Sequence, residues 1–132
     1  MKNAKYVLGA IAAVATLALA TTAVAAVVIK GTNRDDVLTG TDRNDMIVGR
    51  QGNDTINGLA GNDRIHGNRD NDTIDAGPGN DRIWPGRGAD KQYGGDGDDV
   101  LHALARDKQV DTIDCGPGHD VLWLNAKETT DV

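Results

Sequence analysis

Aspartate recurs in this chain at a spacing that could place a row of carboxylates in register. Asp54, Asp63, Asp72 and Asp81 are each nine residues apart, and an isoleucine follows each of them by two residues. The same position of the nine-residue unit is aspartate throughout, namely Asp36, Asp45, Asp54, Asp63, Asp72, Asp81, Asp90, Asp99, Asp111 and Asp120. Short carboxylate side chains in turns can reach a nearby ion, so the pattern favours cation binding.

Composition points in the same direction. The 132 residues carry a net charge of -6, and Glu128 is the only glutamate among 20 acidic residues. Nucleic acids select basic surfaces, so we expect no nucleic-acid partner. The chain contains no serine, no H-E-x-x-H motif and no distinct acid/base pair, so we expect no catalytic residues and no enzyme.

The N-terminal part differs from the rest and is interpreted as a signal peptide covering residues 1–25. Lys2 and Lys5 precede an apolar run, and small residues at 23–26 offer an A-x-A cleavage site. This predicts a secreted domain of residues 26–132 whose net charge, without the two lysines, changes from -6 to -8. The alternative is an uncleaved membrane anchor, because the apolar stretch extends to Ile29 and approaches the roughly 20 residues that span a bilayer.

Each nine-residue unit divides into a turn rich in Gly, Asn and Asp and a short extended piece such as Thr55–Asn57. We number its places from Gly31, so that aspartate occupies place six. Side chains alternate between the two faces of a strand, so the aliphatic residue at place eight points inward, while places seven and nine point outward. Place eight is Leu38, Ile47, Ile56, Ile65, Ile74, Ile83, Leu101, Ile113 and Leu122, with Gln92 as the exception. Two units would form one coil of a solenoid with two parallel sheets.

Large hydrophobic residues are sparse beyond residue 30, and the single Cys115 cannot form a disulfide within the chain. Cys115 is therefore expected to be a buried or half-buried thiol or to pair between molecules. A secreted domain with a thin core and no disulfide usually needs another staple, and a metal is the obvious candidate.

The units resemble the hemolysin-type (RTX) calcium-binding nonapeptide G-G-x-G-x-D-x-U-x, a parallel β-helix repeat. Residues 94–102, GGDGDDVLH, fit every specified place, and residues 115–123, CGPGHDVLW, fit all but the first. The resemblance covers Gly31 to Trp123. It implies an all-β fold, a parallel β-roll (β-solenoid) of nine-residue repeats with two repeats per coil. Solenoids need terminal caps, so the apolar stretch Val121 to Leu124 is interpreted as the last strand plus a C-terminal cap.

The resemblance also implies several Ca²⁺ ions, held between stacked turns by place-six carboxylates and turn carbonyls. Calcium takes 6–8 oxygen ligands, whereas magnesium demands stricter geometry and zinc prefers His or Cys. The candidate metal ligands are Asp36, Asp45, Asp54, Asp63, Asp72, Asp81, Asp90, Asp99 and Asp120. Aspartates eighteen residues apart would share an edge, and we expect folding to be coupled to calcium in a secreted protein with a structural or adhesive role.

Several departures from the repeat leave alternatives open. Arg34 and Arg43 replace glycine at place four, which weakens the case for sites in the first two units. Asp70, also at place four, could add a carboxylate or only tolerate a left-handed turn. Asp111 follows a three-residue insertion, so its stacking is uncertain. The whole array could also be a calcium-independent solenoid in which Asp and Asn cap turns.

Three aromatic residues, Trp84, Tyr93 and Trp123, fall at the outward place nine. They favour a surface ladder or cap contact. The alternative is a non-catalytic carbohydrate- or surface-binding solenoid that uses them as one contact face, with a cell-surface or extracellular polymer as partner. A membrane partner is expected only if the N-terminal segment is uncleaved.

Overall fold

The computed structural model describes residues 26–103 and 108–124, which form short strands joined by turns. Within these ranges there is no helix. The strands are β1 Val28–Lys30, β2 Val37–Thr39, β3 Met46–Arg50, β4 Thr55–Asn57, β5 Arg64–Arg69, β6 Thr73–Asp75, β7 Arg82–Arg87, β8 Lys91–Tyr93, β9 Val100–Ala103, β10 Thr112–Asp114 and β11 Val121–Leu124. Each strand begins at place seven of a unit and includes places seven to nine, as the period predicts, and β3, β5 and β7 continue into the next unit.

The strands alternate between two parallel sheets. The odd-numbered strands form a six-stranded sheet in the order β1-β3-β5-β7-β9-β11, and the even-numbered strands form a five-stranded sheet in the order β10-β8-β6-β4-β2. In-register partners such as Ile56 and Ile74 lie eighteen residues apart. Two units therefore make one coil, and the predicted all-β parallel solenoid is confirmed.

The core is one column of aliphatic side chains between the sheets. The inward place-eight residues from Leu38 to Leu101 are almost completely buried. Places six and one lie two residues to either side of place eight and therefore share its inward face. Asp63, Ile65 and Gly67 illustrate this pattern, because all three are buried. The interior consequently contains a row of aspartates beside the aliphatic column, and this brings carboxylates of successive coils together.

The repeat resumes its register after the three-residue insertion. Thr112 pairs with Lys91 and Val121 with Val100, so the offset grows from eighteen to twenty-one residues. The last strand, β11, is exposed along its whole length. Of the last strand and cap predicted for Val121–Leu124, the strand is present; residues 125–132 lie outside the described residues.

The predicted signal peptide and the alternative membrane anchor, residues 1–25, also lie outside the described part of the chain. Within the described ranges, no helix is long and apolar enough to cross a membrane.

Gln92 occupies a core position and is fully buried between Ile74 and Ile113 of the neighbouring strands. Its Nε2 donates to the His102 carbonyl at 3.2 Å, but its Oε1 has no hydrogen-bond partner. A buried polar atom without a partner costs about 1–3 kcal/mol. We expect Gln92→Leu to raise the free energy of unfolding by about 1 kcal/mol in chemical denaturation with calcium present.

The matched control is Gln51→Leu, because Gln51 is exposed in a turn. Surface substitutions of this kind usually change stability by less than about 0.5 kcal/mol. A loss of stability in Gln92→Leu would show that the amide contributes more through its bond to His102 than its unpaired oxygen costs.

Candidate metal centre

The place-six aspartates form one hydrogen-bonded ladder along each edge of the solenoid. On one edge, the Asp54 N–H donates to Asp72 Oδ1 at 2.9 Å, and the Asp72 N–H donates to Asp90 Oδ1 at 2.8 Å. On the other edge, the Asp63 N–H donates to Asp81 Oδ1 at 2.6 Å. Each carboxylate thus accepts the backbone donor of the coil before it. These bonds join aspartates eighteen residues apart, which is the predicted pairing.

Both ladders continue past the insertion. Asp90 donates to Asp111 at 3.1 Å, and Asp99 donates to Asp120 at 3.0 Å. Asp111 was not among the candidate ligands, yet the structure places it in the ladder. Asp120 is half-buried, unlike the other candidates, which are all buried.

A second ladder, formed by place five, was not predicted. The Asn71 N–H donates to Asn53 Oδ1 at 3.0 Å, and the Asn80 N–H donates to Asn62 Oδ1 at 2.9 Å. These bonds run in the opposite sense to the aspartate ladder, because here the earlier coil supplies the side-chain acceptor. The recurrence of Asn or Asp at place five was a visible signal for this role, since such side chains readily bond turn backbone.

The second carboxylate oxygen is what distinguishes the aspartates from ordinary turn caps. Among the described residues, the buried Oδ2 atoms of Asp54, Asp63, Asp72, Asp81 and Asp99 have no hydrogen-bond partner. Buried polar atoms normally find a partner. Unpaired carboxylate oxygens inside a protein therefore fit a cation, which would supply the missing charge and bonding.

The surroundings of these oxygens contain further acceptors. A Cβ placed on Gly67 would overlap both Asp72 Oδ2 and the carbonyl oxygen of Pro85, and one on Gly58 would overlap the Ala76 carbonyl and lie 2.6 Å from Asp63 Oδ2. The glycine at place one thus leaves carboxylate and carbonyl oxygens side by side. This is the all-oxygen donor set that calcium prefers. Within the described ranges, no three His, Cys, Asp or Glu side chains gather into a metal site.

Burial makes these carboxyl groups difficult to ionise. It raises the pKa of Asp54 and of Asp63 to about 6, that of Asp81 to about 7 and that of Asp72 to about 8. Backbone hydrogen bonds oppose the rise, and the charges of neighbouring aspartates add to it. Stacked carboxylates therefore repel one another. A divalent cation would relieve both the burial and the repulsion.

Comparison with protein families identifies this arrangement. The profile of the RTX calcium-binding nonapeptide repeat (4 copies) matches residues 30–65, 57–91 and 93–107, which together make up more than half of the chain. The chain belongs to the RTX calcium-binding repeat family. Membership confirms the predicted resemblance and implies a calcium-binding β-roll. Neither the curated proteins nor the solved structures contain a match.

In the first RTX coil, threonine side chains and backbone donate hydrogen bonds to the place-six carboxylates. The N–H and the hydroxyl of Thr32 both donate to Asp36 Oδ2, the hydroxyl at 2.9 Å. Thr41 donates in the same way to Asp45 Oδ2, at 2.6 Å from its N–H and 2.9 Å from Oγ1. The Oδ2 atoms, which are open in later coils, thus accept threonine donors in the first coil, although Asp45 Oδ1 has no hydrogen-bond partner among the described residues. This geometry agrees with the weaker case for calcium in the first two units.

The later RTX turns adopt left-handed backbone at places two and four. Gly79, at place four, has a φ of 149°, and a Cβ there would overlap the carbonyl of Gly61 in the preceding coil. Leu59, at place two, is left-handed with a φ of 73° despite its side chain. Asp70 is also left-handed with a φ of 74°, and its Oδ2 accepts the Gly52 N–H at 2.9 Å. Asp70 therefore both adopts the left-handed turn and contributes a carboxylate, which accepts a backbone N–H.

The outward aromatic residues do not form the single contact face that the carbohydrate alternative required. Trp84 and Trp123 lie on the six-stranded sheet, whereas Tyr93 lies on the five-stranded sheet. Trp84 instead stacks between His66 and His102, with ring centroids 4.6 and 4.9 Å apart, and His102 stacks on Trp123 at 6.1 Å. A surface ladder was expected, but its histidines were not.

Cys115 is a free, half-buried thiol that packs against the aliphatic core. Burial and nearby aspartates raise its pKa, which lowers its thiolate fraction and hence its reactivity.

Proposed function

We propose that this chain is an exported, non-catalytic β-roll whose folding is coupled to calcium bound between stacked turns, with a structural or adhesive role. The observation that carries the proposal is the set of five buried Oδ2 atoms without a hydrogen-bond partner. RTX-repeat proteins are generally secreted, which supports export. The acidic composition supports a cation rather than a nucleic acid as partner.

The residues proposed to hold calcium are the place-six aspartates from Asp54 onward, together with turn carbonyls of the neighbouring coil. When bound, calcium supplies the positive charge that offsets carboxylate burial and repulsion. The aspartates' Oδ1 atoms hold adjacent coils in register through their backbone donors. The place-five side chains align the turns from the other direction. We assign Asp36 and Asp45 a weaker role in calcium binding, because Thr32 and Thr41 already donate to their Oδ2 atoms.

The direct test is a calcium titration of the purified, metal-free protein followed by circular dichroism and thermal unfolding. We expect β-sheet signal and Tm to rise together, with a midpoint of about 0.1–1 mM, the range typical of extracellular modules. Magnesium at the same concentrations is the control and is expected to give a smaller response. A metal-free protein with full β-sheet signal and an unchanged Tm in calcium would establish the calcium-independent solenoid instead.

A further inference from the structure

The outer face of the six-stranded sheet differs in charge from the rest of this acidic protein. Its strands contain no Asp or Glu, whereas six of the chain's fourteen Lys and Arg residues lie on them. These residues are Lys30, Arg50, Arg64, Arg69, Arg82 and Arg87. The two acidic strand residues, Asp75 and Asp114, belong to the five-stranded sheet. The strands thus separate their charges, with the acidic strand residues on the five-stranded sheet and six cations on the six-stranded sheet.

The cations of strands β5 and β7 lie in register on either side of the stacked rings. Arg64 pairs with Arg82, and Arg69 pairs with Arg87. His66 and Trp84 lie between the two arginine pairs on the same strands. Neighbouring strands are about 4.8 Å apart, so the two arginines of each pair start from backbones one strand spacing apart. Two such pairs, one on either side of the rings, suit a polymer that carries carboxylates at intervals.

The arginines of the six-stranded sheet are available to a ligand. All five of them are exposed, namely Arg50, Arg64, Arg69, Arg82 and Arg87, and none forms an ion pair with a carboxylate of residues 26–103 or 108–124. Guanidinium groups bind carboxylates through paired, charge-assisted hydrogen bonds. The rings between them are half-buried and present their edges, because Trp84 has a ring stacked on each of its faces.

We propose that this face binds an acidic polysaccharide, a chain of sugars that carry carboxylates. The proposal goes beyond calcium-coupled folding and rests on it only in that the β-roll must be folded. Single-stranded nucleic acids are gripped largely by bases stacking on open aromatic faces, and the faces of Trp84 are already covered. A sugar polymer needs only guanidinium partners for its carboxylates and polar edges for its hydroxyls. Calcium at the acidic turns would also reduce the net negative charge that repels such a polymer.

The test uses the full protein in saturating calcium and a hexamer of galacturonic acid as probe. Both tryptophans of the chain lie on this face, so intrinsic fluorescence reports binding there directly. We expect a saturable response with the hexamer and none with maltohexaose, a neutral sugar of the same length. The double variant Arg64→Gln/Arg82→Gln is expected to weaken binding about tenfold, because two charge-assisted contacts are lost.

The matched control is Arg43→Gln/Lys91→Gln, which removes the same charge from an exposed turn and from the five-stranded sheet. We expect it to change the affinity by less than about twofold. Free calcium is held equal throughout, so that calcium binding to the probe affects all variants alike. Circular dichroism of each variant shows separately whether calcium-coupled folding occurs, so the two proposals fail independently.

Three results would overturn the proposal. Equal weakening by both double variants would reduce the effect to overall charge. Tighter binding of a six-residue oligothymidylate would assign the face to nucleic acid. A folded protein without a fluorescence response to the hexamer would leave the arginine face with no polysaccharide ligand.

Discussion

Asp72→Asn is expected to weaken calcium binding about 100-fold, equivalent to about 2.8 kcal/mol. Asp72 is 1% exposed at the middle of its edge, and its Oδ2 is one of the five unpaired oxygens. Asparagine retains Oδ1, which accepts the Asp54 N–H, so the ladder is preserved. What changes is Oδ2, where a negatively charged acceptor becomes an NH₂ donor that repels a cation. Calcium affinity depends strongly on the charge of its ligands.

The measurement is isothermal titration with calcium, with Asp75→Asn as the matched control. Asp75 lies three residues away at the exposed end of strand β6, and its substitution removes the same charge. We expect the control to bind within about twofold of the unmodified protein, because exposed charges at this distance are screened. Equal affinities for the two variants would show that Asp72 is a turn cap rather than a calcium ligand.

The fold could be predicted from the sequence because the period fixes nearly everything about it. A strict interval of nine residues, with aliphatic residues at one place, leaves room for one short strand and one turn in each unit. Strand alternation then determines which side chains enter the core. Ile56 and Ile74 therefore stack in register as expected, and Asp54 and Asp72 follow at the same spacing. The sequence shows the insertion of residues 103–105 as a phase shift, but it does not predict the recovery of register at Asp111.

The features that escaped prediction depend on residues that vary from unit to unit, not on the period itself. The capping of Asp36 by Thr32 is a contact within one unit, and it needs a local turn that differs from the later glycine turns. The stacking of His66 on Trp84 depends on which sheet each unit joins, and only every second unit shares a sheet. For the same reason, Tyr93 shares place nine with Trp84 but lies on the other sheet.

The raised pKa values lead to a second large effect, an unusual response of the metal-free protein to pH. The carboxyl groups of Asp54, Asp63, Asp81 and Asp72 have pKa values of about 6 to 8 in the fold, against about 3.9 in an unfolded chain. Between about pH 4 and 8 the folded chain therefore binds protons that the unfolded chain has released. Protonation stabilises the fold at low pH, and this stabilisation is lost as the pH rises through the folded pKa values.

We therefore expect the metal-free protein to be more stable at pH 5 than at pH 8, with a Tm higher by about 10 °C or more, since about 1 kcal/mol shifts the Tm of a domain this size by about 4–8 °C. Thermal unfolding in chelating-resin-treated buffers, without added chelator, measures this difference. Saturating calcium should reverse the trend, because protons and calcium compete for the same oxygens. Most proteins that lose buried carboxylate interactions in acid behave in the opposite way.

Substitution separates this effect from the general reduction of net charge near the sequence pI of about 4.8. Asp72→Asn removes the carboxyl whose pKa is raised most among the aspartates described above, so the metal-free variant should be more stable at pH 8 and respond less to pH. Asp75→Asn changes net charge equally but removes an exposed group, so its pH response should match that of the unmodified protein. If both variants flatten the profile alike, net charge is the cause; if the unmodified metal-free protein is more stable at pH 8, buried carboxylate repulsion does not limit this fold. If the predicted profile is observed, Asp72 opposes folding without calcium and promotes folding with calcium, and this opposition makes a solenoid with a small core depend on the ion.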